Sequence, residues 1–282
     1  MALIERAGRR IGLGDTAAEA IPGAGGDDGV VLAFHGTTQD RTAWNLVRDA
    51  FPGTHRWITP EFPGSGESTA SDTPLEVEEF VADALAVLDA TGVTRCHVVG
   101  YSLGAVAALA MAATAPERVA SVTSLCGWAT TDGRMRITFQ LWRKLIAVDP
   151  ALFMHYALAD GMTRLSLEAI EPMFGEVVEL STAAIAPGSD AHLELDERVD
   201  ISGLVRDITC PALVIGAIED RWVDVVHSRY LAADIQGARL MELPAGHLVI
   251  QEMARDLGPI LHAHIVEADG SRIGDADGSA PR

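Results

Sequence analysis

The chain has 282 residues, 48% of them hydrophobic, which suits one large domain with a substantial buried core. Its 21 basic and 40 acidic residues leave a formal charge of −19, which excludes a polyanionic partner such as nucleic acid or an anionic membrane surface. The cysteines Cys96, Cys126 and Cys210 are odd in number and far apart, so they read as buried free thiols, not a disulfide framework or a metal site.

Met1 to Arg10 has no apolar stretch long enough for a secretory signal, and no run approaches the ~18 apolar residues of a membrane span. The expectation is a soluble, cytoplasmic protein, with nothing that indicates a homo-oligomer. Val30 to Phe34 is a continuous apolar run between a Gly-Gly-Asp-Asp-Gly turn and His35-Gly36. Cys96 to Val99, Val119 to Leu125 and Ala212 to Ile215 are similar β-rich runs. Such runs predict buried strands of a mostly parallel sheet.

Helical patterns lie between them. Thr73-Pro74-Leu75-Glu76 predicts a helix start with Thr73 as cap, and Val77, Phe80, Val81, Ala84, Leu85 and Leu88 follow at helical spacing. Alternating strand and helix predicts a doubly wound α/β sheet. From residue 127 to 207 only helical patterns occur, so the expectation is a core of residues 1–126 and 208–266 with a helical lid over the strand ends. Residues 267–282, rich in Gly, Asp, Ser and Ala, are expected to form a disordered, dispensable tail.

Gly100-Tyr101-Ser102-Leu103-Gly104 follows a predicted strand and opens an Ala-rich helix. On such a turn a serine projects its oxygen outward while small neighbours keep the turn tight. A serine hydroxyl needs a base, and the base needs an orienting acid. His247, in the turn Pro244-Ala245-Gly246-His247, is the candidate base. Asp220, just past the Leu213-to-Gly216 strand, is the candidate acid, with Glu219 its neighbour and rival and Asp132 an alternative position. Acyl transfer also needs donors for an oxyanion. The backbone N–H groups of Leu103 and Thr37 are the candidates, with His35 beside the second.

At these residues the chain resembles the α/β-hydrolase superfamily over about Val30 to Ile265. Phe34-His35-Gly36 with Trp44 looks like the family's oxyanion loop and the helix after it. Glu61-Phe62-Pro63-Gly64-Ser65-Gly66-Glu67-Ser68 looks like its Asp-x-x-Gly-x-Gly-x-Ser loop, with glutamate for aspartate. The chain departs from the family at Ala217, where glycine is usual, and at Asp224, where proline is usual. It is similar to lid-bearing esterases and lactonases: pimeloyl-carrier methylesterases, 3-oxoadipate enol-lactonases and the methylesterases of polyketide pathways.

The resemblance implies a serine hydrolase that cleaves an ester, lactone or thioester of a small apolar substrate through an acyl-enzyme, in secondary metabolism, without metal or organic cofactor. Rival readings use the same residues for C–C bond hydrolysis or cyclisation, or keep the fold as a non-catalytic small-molecule receptor. Trp128, Phe139 and Trp142 are the candidate substrate-contacting residues of the lid, ahead of Phe153, Met154, Tyr156, Met173 and Phe174. Arg134, Arg136 and Arg143 read as a solvated helix face.

Overall fold

The computed structural model describes residues 2–19 and 29–276. The strands are β1 (Ala2–Arg6), β2 (Arg9–Asp15), β3 (Val30–Phe34), β4 (Arg56–Pro60), β5 (Cys96–Tyr101), β6 (Val119–Leu125), β7 (Ala212–Ala217) and β8 (Arg239–Leu243). They form one eight-stranded sheet in the order β1-β2-β4-β3-β5-β6-β7-β8. Only the pairings of β1 with β2 and of β2 with β4 are antiparallel. The sheet therefore has a parallel centre and an antiparallel edge, the doubly wound α/β arrangement expected.

The helices are α1 (Thr16–Glu19), α2 (Asn45–Ala50), α3 (Val77–Ala90), α4 (Leu103–Thr114), α5 (Gly133–Val148), α6 (Pro150–Gly161), α7 (Arg164–Ile170), α8 (Phe174–Ala183), α9 (Ser189–Asp196), α10 (Val225–Asp234), α11 (Val249–Glu252) and α12 (Ala254–Ala276). Successive side chains of a strand alternate between faces, and here both faces are covered. Leu32 and Phe34 of β3 join a core with Phe80, Ala84 and Leu88 of α3. Val31 and Ala33 join a second core with Val47 of α2 and Leu257, Leu261 and Ile265 of α12. Burial on both sides is why β3 and β7 read as unbroken apolar runs and why β5 and β6 carry no Asp, Glu, Lys or Arg. Between β6 and β7 the chain forms the helices α5 to α9, tied across their base by a bridge between Thr130 and Asp200.

Two expectations need correction. Helix α3 starts at Val77, and Glu76 is its extended, uncapped N-cap. Burial of Leu75 and the hold of Arg198 on the Leu75 carbonyl and the Glu76 carboxylate keep this stretch extended. The second concerns the tail, for α12 runs on to Ala276. The spacing of Leu257, Leu261, Ile265 and Ala268, all buried, continues the helical stripe past residue 266. Glu267 pairs with Arg239, and Asp269 lies 3.4 Å from His97. Residues 277–282 fall outside the described residues. No helix among the described residues is long and apolar enough to cross a membrane.

Candidate active site

Ser102 sits between β5 and α4 with φ +56° and ψ −123°, a left-handed conformation that costs energy in a residue bearing a side chain. What holds it there is close packing. A Cβ on Gly104 would overlap the carbonyls of Phe34 and His35, and one on Gly100 would overlap the Gly104 carbonyl. Only glycine lets α4 come this near to β3 and β5. Leu103 is the first residue of α4, so its N–H has no acceptor within the helix.

His247 and Asp220 arrive from the loops after β8 and β7. His247 Nε2 lies 3.0 Å from Ser102 Oγ, and its Nδ1 lies 2.6 Å from Asp220 Oδ2. Asp220 Oδ1 accepts the N–H groups of Trp222 and Val223, each at 2.9 Å, so both carboxylate oxygens are engaged. That geometry places Nδ1–H toward the acid and leaves the Nε2 lone pair toward the serine hydroxyl. Glu219 is exposed, and Asp132 caps α5 through Met135 N while facing His227. Neither approaches His247. Asp224, where the resemblance would have proline, caps α10.

The loop after β3 brings Thr37 to the same cavity. Gly36 O accepts from His35 Nδ1 at 2.8 Å and from Gln39 N at 3.3 Å. Because a peptide unit is planar, fixing that carbonyl directs the Thr37 N–H the opposite way. His35 Nε2 in turn accepts the N–H of Phe62 at 3.1 Å. Complete burial depresses its pKa to about 4, so His35 is a neutral brace. It does not line the cavity, which corrects its assignment as a substrate contact.

A cavity of about 500 Å³ opens over Ser102 and His247. Trp142, Phe153, Met154, Leu158, Ile170 and Val177 from α5 to α8 form much of its wall, and Trp222 flanks His247 at 4.8 Å between ring centroids. Among the described residues no lysine or arginine lines it; Asp40, which does, already accepts Thr42 N and Oγ1. Of the three leading candidates only Trp142 is in the wall, joined by Phe153 and Met154 from the further set. Trp128 and Phe139 do not line it; their rings pack at a tilt with centroids 5.9 Å apart, and Trp128 Nε1 donates to Thr131 Oγ1. Arg134, Arg136 and Arg143 are spent on Arg221 O, Glu197 O and the Asp190 and Glu197 carboxylates.

Three polar residues that sequence reasoning missed hold these loops. Glu252 accepts Gly246 N at 2.7 Å and both Thr163 N and Oγ1 at 2.7 Å. Asp160 accepts Trp222 Nε1 at 2.9 Å. Asp196 accepts Thr37 Oγ1 at 2.6 Å. Cys126, Asp220 and His247 offer ligand atoms within 4.8 Å of one another, as do His55, His97 and Asp269 at the far end of β5. Burial pushes the Cys126 thiol well above its ordinary range, which keeps it protonated and a poor metal ligand or nucleophile.

A serine, an imidazole and a carboxylate in relay at the ends of such a sheet define an α/β hydrolase. The chain belongs to that family: residues 29–252 match its model, described as alpha/beta hydrolase fold. It is similar to pyrrolizixenacetamide deacetylase of Xenorhabdus hominickii, 29% identical over 245 residues, or 86% of this chain and 92% of the relative. The fold also matches the enol-lactonase from Burkholderia xenovorans LB400, at TM-score 0.81 and 19% identity over 94% of this chain and all (100%) of that one. An esterase from Exiguobacterium antarcticum matches at TM-score 0.80 and 16% identity, covering 94% and 98%.

Proposed function

We propose that the protein is a serine hydrolase that cleaves an ester, lactone or thioester of a neutral, apolar acyl group through a covalent acyl-serine. The observation that carries this reading is the relay of 2.6 Å and 3.0 Å from Asp220 through His247 to Ser102, opening into a cavity walled by apolar side chains. In the first step His247 Nε2 takes the hydroxyl proton as Ser102 Oγ attacks the carbonyl carbon. Leu103 N–H and Thr37 N–H stabilise the oxyanion, and the protonated His247 passes its proton to the leaving oxygen or sulfur. Water, deprotonated by His247, then releases the acid and regenerates Ser102.

In this reading residues 127–207 are a cap that shapes the acyl site over the core. A wall with no lysine or arginine among the described residues gives a substrate carboxylate no counter-charge, so the acyl group is neutral. The likeness to a deacetylase agrees with acyl transfer.

Fluorophosphonate labelling combined with a panel of neutral aryl esters tests the proposal. Wild type should label and turn over, whereas Ser102→Ala should do neither while keeping its melting temperature. Asp220→Asn and His247→Ala should be severely impaired and Glu219→Gln close to wild type. Retention of more than a few per cent of turnover by Ser102→Ala would end the serine mechanism.

A further inference from the structure

We infer that Asp196, on the last turn of α9, is a positioning residue for the oxyanion site: it fixes Thr37 through the threonine side chain. The inference rests on the acyl-transfer reading of Ser102. Three observations carry it. Thr37 Oγ1 donates to Asp196 Oδ2 at 2.6 Å, and this is a bond between segments 159 residues apart in the chain. Asp196 is wholly buried, its Oδ1 has no hydrogen-bonding partner among the described residues, and its main-chain carbonyl is pinned by Thr131 Oγ1 at 2.6 Å. The same loop is held once more from the helical segment, where Ala186 N donates to Thr38 O at 2.9 Å and Thr38 has φ +66°.

A buried carboxyl with one oxygen unmatched is costly, so fold stability alone gives a poor reason for its presence. Its geometric effect is clear. The peptide joining Gly36 and Thr37 is set at its carbonyl by His35 and Gln39, and the Asp196 bond sets the side chain on the next atom along. Together they fix the direction of the Thr37 N–H, which makes no hydrogen bond to an acceptor among the described residues. Burial raises the Asp196 pKa to about 8, so the group stays neutral and places no negative charge behind an oxyanion. Glu197 is the charged neighbour that adds to this shift.

The test is a double-mutant cycle on kcat and KM with a neutral aryl ester, using Asp196→Ala, Thr37→Val and the pair, with Asp196→Asn as the conservative variant. Loss of one oxyanion donor costs about 100- to 1,000-fold in kcat, and a displaced donor costs part of that. Asp196→Ala and Thr37→Val should each lower kcat about 10- to 100-fold with KM within about twofold. The pair should be no worse than either single variant. Asp196→Asn, which can still accept from Thr37, should stay within about threefold of wild type. The inference is overturned by unchanged kcat in Asp196→Ala, by Asp196→Asn as damaged as the alanine variant, or by additive effects in the pair. Should Asp196→Ala fail to fold, Thr37→Val and Asp196→Asn still decide, because the first must lose kcat and the second must keep it. Ser102→Ala separates the two levels of argument: activity in that variant refutes the serine mechanism, whereas an inactive Ser102→Ala beside an unaffected Thr37→Val refutes only the role given to Asp196.

Discussion

Lowering the pH from about 7.5 to about 5 should shift the stability of this fold through buried groups that act in opposite directions. His35 and His192 are fully buried, and desolvation takes each from the ordinary 6.5 to about 4. His35 has a further obstacle, because a proton on Nε2 would face the N–H of Phe62 that it now accepts. The unfolded chain binds protons at these residues between pH 6.5 and about 4 and the folded chain does not. Their contribution is therefore complete above 6.5 and is lost as pH falls toward 4. Asp196 is raised by burial from 3.8 to about 8, so the folded chain keeps a proton that the unfolded chain has released. Its contribution is complete below 3.8 and is lost as pH rises toward about 8. Between about pH 7.5 and about pH 5, each histidine then removes about 2 kcal/mol and Asp196 restores about 3 kcal/mol. The wild-type curve hides these terms by cancellation, and variants expose them. Urea unfolding at both pH values should show a loss smaller by about 2 kcal/mol in His192→Gln and larger by about 3 kcal/mol in Asp196→Asn, each compared with wild type. Equal losses in all three proteins would refute the reasoning.

Glu252→Gln replaces one carboxylate oxygen with a donor facing either Gly246 N–H or Thr163. A hydrogen bond to a charged group is worth about 1.5–3 kcal/mol, so thermal unfolding should register that loss and kcat should fall about tenfold; an unchanged protein would show that the His247 loop needs no such support. Trp142→Ala should flatten the rise of kcat/KM with acyl length, which in wild type should be about fourfold per methylene at ~0.8 kcal/mol each, while fluorophosphonate labelling persists. An unchanged trend would make Trp142 packing only. Truncation after Val266 removes buried Ala268 and the partners of Arg239 and His97, so denaturation should show a loss of about 1–2 kcal/mol with turnover intact. No loss would return the tail to the dispensable role first expected.

The parallel centre of the sheet was legible because burial on both faces leaves no charged positions in β3 and β6: β3 is wholly apolar, β6 is polar only at Ser121, Thr123 and Ser124, and both have the bounds of their β-rich runs. The edge was not. In β1 partly buried and exposed residues alternate, β2 opens on two arginines and carries two glycines, and β4 ends in proline. Those strands depend on pairing with distant partners, which local pattern does not encode. The grouping of Ser102, Asp220 and His247 was readable because each follows soon after a strand-like run in the chain. Asp160, Asp196 and Glu252 were not, since Trp222, Thr37 and Thr163 lie 62, 159 and 89 residues from them in the chain. One signal existed for Asp196, which stands on the stripe of His192, Leu193 and Leu195, all buried on α9, where an acidic side chain is out of place.

These acids bear on how a substrate reaches Ser102. Asp196 and Asp160 lie in the helical segment and hold Thr37 and Trp222 of the core, while Glu252 of the core holds Thr163 of the segment. Lifting that segment as a rigid lid would break all of these bonds together. At about 1.5–3 kcal/mol for a bond to a charged group and about 1 kcal/mol for one to a neutral acid, the sum is about 4–7 kcal/mol, comparable to the whole stability of a typical domain. Access should therefore run past the solvent-exposed lining residues Leu46 and Gln251, with the helices in place. Hydrogen exchange resolved by residue gives the check. The amides of α9 and the hydrogen-bonded loop amides of Gly36 and Gln39 should share one opening free energy, close to that of global unfolding. Exchange of α9 well before the loop, at a much lower free energy, would mean that the segment lifts on its own and that the bonds to Thr37, Trp222 and Thr163 do not hold it.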